Sequence, residues 1–166
     1  MLKTLVFVLC VGAAFSVAAQ ADSLTPPYRK FPEPPPFQLL LQDSATIFKK
    51  ADLKTKTPLL LMIFSPDCSH CQHETEELVK HRDQLKGIQV VMITMHPFDA
   101  MKKFISDYKL TTVPEVTVGK DIYYLTPSFY AMHNLPFNAW YDKKKKLINV
   151  FEGSMNLNTV LAELKN

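Results

Sequence analysis

Residues 64–73 read FSPDCSHCQH and set two cysteines, Cys68 and Cys71, three positions apart. An apolar run at 59–64 precedes them and is typical of a strand buried on both faces. If a helix begins near Cys68, residues i and i+3 share one face with Cβ atoms about 5–6 Å apart, which suits a disulfide. The segment therefore predicts a redox-active pair of thiols at a strand-to-helix turn.

The two thiols are expected to play different parts. Cys68 would face the unpaired N–H groups of the first helical turn and the positive end of the helix dipole, both of which favour a thiolate. Cys71 lies one turn inside and would be the shielded partner. Two neighbours should tune the thiolate in opposite directions, because the Asp67 carboxylate disfavours it and the His70 imidazole favours it. The sequence leaves open which of these two effects prevails.

The N-terminal segment, residues 1–21, has the composition of a secretory signal peptide. It begins with Lys3 as its single charge, continues with an apolar run at 5–15, and ends in the small-x-small triplet 19–21. We expect cleavage after Ala21, which would also remove Cys10 and leave Cys68 and Cys71 as the remaining cysteines. The apolar run is short for a membrane span, so an uncleaved anchor and a lipoprotein are weaker alternatives. An exported protein without stable membrane insertion is predicted.

The rest of the chain divides into a lead-in and one domain. Residues 22–36 contain six prolines and no apolar periodicity, which predicts an extended lead-in. Residues 37–166 alternate apolar strand-like runs with helical patterns and finish with a hairpin and a helix that we place at 156–164. This order indicates an α/β fold with a mixed central sheet flanked by helices. In detail we expect a hairpin at 37–50, a strand at 88–95, a helix at 98–108, an extended piece at 113–118, a helix capped by Thr126, and a hairpin at 137–151.

The charge balance says little about binding partners. The formal net charge is +3 at pH 7, which predicts neither a nucleic-acid partner nor strong attraction to anionic membranes. The lysine run 143–146 lies between two apolar segments and is interpreted as a solvated hairpin tip.

The order of these elements resembles the thioredoxin fold. An apolar strand leads to Cys68-x-x-Cys71 and a helix, and Leu135-Pro136 opens the hairpin that precedes the final helix. With the upstream hairpin and the segment 51–56, the chain is similar to the extracytoplasmic thiol:disulfide oxidoreductases of the TlpA and ResA group over roughly residues 36–165. The resemblance implies a thioredoxin-like domain with an N-terminal β-hairpin extension and a location in a bacterial periplasm.

The resemblance also implies roles for individual residues. Cys68 would be the attacking thiolate and Cys71 the resolving thiol. Pro136, rather than Pro114, would be the cis-proline that faces the disulfide, and the backbone at Leu135 would pair with an extended substrate peptide. No organic cofactor and no metal is expected. The partners would be protein thiols or disulfides and an upstream redox partner, and the chain would act as a monomer.

Departures from the family pattern leave some of these roles open. Met62 occupies the strand position where many thioredoxins hold a buried acid that relays a proton to the resolving cysteine, so this relay is absent or comes from elsewhere. Asp67 stands where the family often has tryptophan, and His70 resembles a histidine of strongly oxidising relatives.

Other classes of function are compatible with the two cysteines. The two cysteines could form a structural disulfide, although so short a loop stabilises little. A thioredoxin-like copper chaperone or a redox-inert binding module would use the same motif without catalysis, whereas zinc needs four converging ligands. Peroxide reduction is disfavoured because Pro66 is too close to Cys68 and the expected threonine is missing. The prediction is an exported thiol:disulfide oxidoreductase that acts through the Cys-Ser-His-Cys motif.

Overall fold

The computed structural model of the protein describes residues 25–165, and the predicted signal peptide at 1–21 lies outside the described residues. The elements follow one another along the chain in an alternating α/β order. They are α1 (Pro27–Lys30), β1 (Gln38–Leu41), β2 (Ile47–Lys49), β3 (Leu59–Ile63), α2 (Ser69–Lys80), β4 (Gln89–Thr94), α3 (Phe98–Asp107), β5 (Val116–Asp121), α4 (Leu125–Tyr130), β6 (Phe137–Tyr141), β7 (Leu147–Glu152) and α5 (Leu157–Lys165). Short 3₁₀ turns occur at Lys50–Asp52, Arg82–Leu85 and Leu110–Thr112.

The strands form one seven-stranded mixed sheet in the order β2-β1-β5-β4-β3-β6-β7. Strands β3, β4 and β5 are parallel, and the remaining pairs are antiparallel. Because β3 and β4 are central, every residue in them is buried, which explains their uninterrupted apolar sequences. The predicted mixed α/β fold with an N-terminal hairpin is confirmed.

The sheet separates two apolar layers. Leu60 and Met62 of β3 face the layer that contains Cys71 and residues of α2, α3 and α5. Leu61 and Ile63 face the opposite layer, which contains residues of α4 and of the N-terminal hairpin. Alternate residues of a strand point to opposite faces, so this one strand contributes to both layers. The carboxyl ends of the three parallel strands lie at one edge of the sheet, where binding sites of such folds are usually built.

Three local expectations differ from the structure. Residues 27–30 form one helical turn within the lead-in, since Pro27 suits a first helical position and Tyr28 packs against Tyr130 with ring centroids 6.0 Å apart. Strand β5 covers 116–121 instead of 113–118. Thr126 does not cap α4 but lies inside it, because its backbone N–H and its hydroxyl both donate to the buried carboxylate of Asp121, each at 2.8 Å.

No helix within residues 25–165 is long and apolar enough to cross a membrane.

Close packing between β1 and β5 yields a stability prediction. A Cβ atom at Gly119 would lie 2.6 Å from the Cβ of Leu39, an atom bonded directly to the backbone that cannot rotate away. We expect Gly119→Ala to lower the free energy of unfolding by about 1–3 kcal/mol, as overpacking of a core does. Urea unfolding checks this, with Thr117→Ala on the same strand as control. An unchanged midpoint for Gly119→Ala would contradict the packing described here.

Candidate active site

The two cysteines lie where β3 ends and α2 begins. Cys68 is the N-cap residue of α2, with extended backbone angles, and the helix proper begins at Ser69. The backbone N–H of Cys71 donates to Cys68 Sγ at 3.2 Å, a bond that satisfies one of the unpaired donors of the first turn. Both cysteines are free thiols here. The sulfur of Cys68 thus occupies a position that stabilises negative charge, because a donor and a helix N-terminus both point at it.

The two thiols differ sharply in exposure. Cys68 is partly exposed, whereas Cys71 is completely buried in the apolar layer beneath α2. Burial raises the pKa of the Cys71 thiol, and the neighbouring Cys68 sulfur raises it further. One sulfur can therefore meet an external disulfide, while the other is held as a thiol behind it.

Leu135 and Pro136, which are far from the cysteines in sequence, lie beside them in the fold. The peptide bond between them is cis, the one such bond among residues 25–165, so Pro114 is trans. Cys68 Sγ lies 3.8 Å from the carbonyl oxygen of Leu135. Pro136 directly precedes β6, which pairs with β3 and so lies beside the strand that delivers the cysteines. The backbone at Leu135 is consequently next to the exposed sulfur.

The turn before Cys68 is held by Ser65 and His96, which the sequence analysis did not single out as a pair. The carbonyl of Ser65 accepts the N–H of Cys68 at 3.2 Å, and its hydroxyl accepts the N–H of Asp67 at 3.3 Å. The same hydroxyl lies 2.9 Å from Nε2 of His96, which follows β4. These bonds connect the cysteine turn to the neighbouring strand and restrict its backbone.

The two predicted tuning residues are exposed and lie next to other polar side chains. The Asp67 side chain is 86% exposed, and its carboxylate lies 4.0 Å from Nδ1 of His96. His70 is exposed as well, with Nδ1 3.5 Å from the hydroxyl of Ser154. Water screens charges in such positions, so their influence on Cys68 stays a prediction.

A buried acid, Glu74, lies one helical turn beyond Cys71 and was missed at the sequence level. Glu74 is only 3% exposed, and its Oε2 accepts the backbone N–H of Met155 at 2.9 Å. Burial raises its pKa to about 7, although this hydrogen bond acts in the opposite direction. Met62, at the usual position of the buried acid, is apolar and completely buried in the same layer as Cys71. The site therefore has a buried acid, but the helix supplies it instead of the strand.

A helical periodicity argument could have found this residue. Cys71, Thr75 and Leu78 follow the buried face of α2, and position 74 lies on that face. A charged residue on an apolar face is a signal in its own right, because burying an ionised carboxylate is costly.

Metal ligands do not converge at this site. No group of three or more histidine, cysteine, aspartate or glutamate side chains within the described part of the chain is arranged to hold a metal ion.

Known structures share this architecture at low sequence identity. A secreted Mycobacterium tuberculosis disulfide oxidoreductase, described as homologous to E. coli DsbE, matches with a TM-score of 0.65 and 19% identity over 78% of this chain and 95% of that one. A putative thiol:disulfide interchange protein DsbE from Chlorobium tepidum matches with a TM-score of 0.63 and 23% identity over 79% and 90%. A thiol-disulfide oxidoreductase from Bacteroides fragilis matches with a TM-score of 0.65 and 18% identity over 80% of this chain and 97% of that one. At these identities the similarity establishes the fold.

The family comparison covers most of the described chain. The model of the AhpC/TSA family matches residues 32–160, which include the whole sheet, the cysteine turn and Pro136. None of the curated proteins matches the chain. The predicted relationship with thioredoxin-like oxidoreductases is confirmed, and an oxidoreductase is the class of enzyme that the family supports. The matched region contains the whole mixed sheet and the dithiol at its carboxyl edge. This chain therefore belongs to the AhpC/TSA family.

Proposed function

We propose that this protein is an exported thiol:disulfide oxidoreductase that exchanges disulfides with protein substrates through Cys68 and Cys71. The observation that carries the proposal is the asymmetry of the pair. Cys68 is partly exposed and its Sγ accepts a hydrogen bond at the start of a helix, while Cys71 is completely buried beside it. This is the arrangement needed for one sulfur to attack and the other to resolve.

The exchange takes place in two steps. The Cys68 thiolate attacks a client disulfide, a bond forms between Cys68 and one client sulfur, and the other client sulfur leaves as a thiolate. Cys71 Sγ then loses its proton and attacks Cys68 Sγ, which releases the second client thiolate and forms the Cys68–Cys71 disulfide. The client gains two electrons and the protein loses two. An upstream redox partner restores the dithiol, and the reverse sequence oxidises a client.

The second step needs a proton acceptor inside the protein. Cys71 is completely buried, and burial raises the pKa of its thiol, so bulk water is a poor acceptor for its proton. Glu74 lies one turn away with a pKa of about 7, close to the pH at which such an acceptor works best. Its carboxylate and a Cys71 thiolate repel each other, so one of the two holds the proton. We assign the role of proton acceptor to Glu74.

The client peptide would bind across the exposed sulfur. By resemblance to the family, its extended backbone pairs with Leu135, whose carbonyl oxygen lies 3.8 Å from Cys68 Sγ. The protein would act as a monomer in a bacterial periplasm after removal of residues 1–21. The secreted Mycobacterium tuberculosis oxidoreductase among the similar structures supports an extracytoplasmic location. The dithiol itself carries the electrons, so the proposed chemistry needs no cofactor.

Insulin reduction by dithiothreitol tests this function. The wild-type protein should accelerate precipitation of the insulin B chain, and a Cys68→Ala, Cys71→Ala double variant, checked for folding by circular dichroism, should not, because it has lost both sulfurs. A wild type no faster than the double variant would contradict the proposal. If that inert wild type also bound Cu(I) stoichiometrically, the copper chaperone would replace the oxidoreductase as the proposed function.

A further inference from the structure

Two buried side-chain oxygen atoms in the described part of the chain have no hydrogen-bond partner. They are Oε1 of Glu74 and Oδ1 of Asn138. Buried polar atoms are nearly always paired, because leaving one unpaired forfeits its hydration. Two oxygens cannot pair directly, but a single proton between them would satisfy both.

Asn138 lies on β6, which packs beneath the buried face of α2 that carries Glu74. It comes two residues after Pro136, is completely buried and pairs in register with Met62 of β3. Its Nδ2 donates to the carbonyl of Gly153 at 3.3 Å, while Glu74 Oε2 accepts from the N–H of Met155. Both side chains are therefore held by the same short segment, 153–155. The nearby side-chain amide of Asn138 lowers the pKa of Glu74, against the larger increase caused by burial.

We propose that Asn138 is a positioning residue for Glu74, whose side-chain amide hydrogen-bonds to the carboxyl group in both protonation states and thereby sets the pH at which Glu74 accepts the Cys71 proton. The inference rests on the function proposed above. In the neutral state, the Oε1–H of Glu74 donates to Oδ1 of Asn138. In the ionised state, the amide N–H of Asn138 donates to the carboxylate.

The chemistry of an amide explains why this position suits asparagine. An amide carries a donor and an acceptor, whereas a carboxylate only accepts and a carboxylic acid also donates. A hydrogen bond to the ionised form is roughly twice as strong as one to the neutral form. Asn138 consequently supports the carboxylate more than the acid, and its loss should raise the pKa of Glu74.

Other titratable groups near Glu74 are known and unchanged by a substitution at 138. Cys71 lies one turn before it, with Cys68 beyond. A cavity beside Glu74 is also lined by His73 and Glu77 of α2 and by His81, which directly follows that helix. The facing segment, 154–158, contributes no titratable side chain to this cavity. Met62 of β3, in the same apolar layer as Cys71, is also without charge. A shift confined to Glu74 can therefore be attributed to the amide.

The test measures the Glu74 titration directly, by carboxyl ¹³C NMR on the reduced full-length protein and on Asn138→Leu. We expect the pKa of Glu74 to rise by about one unit in the variant, since the stronger, charge-assisted bond is the one lost. The midpoint of the pH profile for resolution of a Cys68 mixed disulfide should move by the same amount. Asn149→Leu, the same change at an exposed position of β7, should alter neither value. An unshifted Glu74 titration would overturn the proposal.

Two further measurements keep the test decisive. If Asn138→Leu does not fold, the side-chain amide ¹⁵N signal of wild-type Asn138 should titrate with the same midpoint as Glu74, and a signal that does not respond would overturn the proposal. In a Glu74→Gln background, Asn138→Leu should no longer move the pH profile, and a persisting shift would show that Asn138 acts by another route. The NMR readouts need no turnover, so an inactive wild type would refute the proposed function without affecting this test.

Discussion

Cys71→Ser protein is expected to accumulate mixed disulfides between Cys68 and its clients, while Cys68→Ser accumulates none. In the first variant the exposed sulfur at the helix N-terminus still attacks, but the buried sulfur beside it is gone, so the captured client cannot be released. In the second variant the remaining sulfur, Cys71, is completely buried and cannot reach a client disulfide. Turnover should fall by roughly 10³-fold or more in both, as it does when a nucleophile is removed.

The trapping experiment is read by non-reducing electrophoresis and mass spectrometry after acid quenching. The Cys68→Ala, Cys71→Ala double variant is the background control, and the identified clients would define the pathway. Equal trapping by the two single variants would contradict the assignment of attacking and resolving sulfurs. Trapping through Cys71 alone would reverse it.

Glu74→Gln is expected to remove a large part of the pH dependence of stability. The pKa of Glu74 is raised from an ordinary value of 4.5 to about 7, so the folded state binds a proton that the unfolded state has already released between these two values. The contribution of Glu74 to the unfolding free energy of the wild type should therefore be fully present below about pH 4.5 and be lost as the pH rises through 7. A shift of this size corresponds to about 3 kcal/mol at most.

Urea unfolding of the reduced proteins between about pH 5 and pH 8 measures this effect. Glutamine cannot ionise, so Glu74→Gln should equal or exceed the wild-type stability at the upper end of the range and lack the decline. Glu76→Gln, at an exposed position of the same helix, should retain the wild-type profile. Parallel pH profiles for the wild type and Glu74→Gln would show that Glu74 is not buried as a neutral acid.

Much of the fold could be predicted because its signals are local. The apolar runs at 59–64 and 88–95 correspond to β3 and β4, which are buried on both faces and need no alternation. The helix at 98–108 and the hairpin at 137–151 were found for similar reasons. The predicted start of α4 was wrong because Thr126 donates two hydrogen bonds to the buried carboxylate of Asp121, five positions before it, and so lies inside the helix.

The candidate site was only partly predictable. Cys68 and Cys71 were recognisable from their spacing, whereas Leu135 and Pro136 were assigned through the family resemblance, with Pro136 preferred over Pro114 because a hairpin follows it. Glu74 was missed because a glutamate in the first turns of a helix usually faces water. Its burial depends on Met155, 81 positions away, whose N–H donates to it. Asp67 and His70 were named from their nearness in sequence, yet their side chains point toward His96 and Ser154.

Sequence alone determined that the two thiols form a close pair, because residues three positions apart after a buried strand come together through the geometry of one helical turn. It also determined the order of strands and helices, since each element carries its own hydrophobic period. Only the tertiary structure decided which acid is buried beside the buried thiol. Desolvation depends on what covers a group, and Glu74 is covered by β6 and segment 153–155, which the chain brings back from far along the sequence.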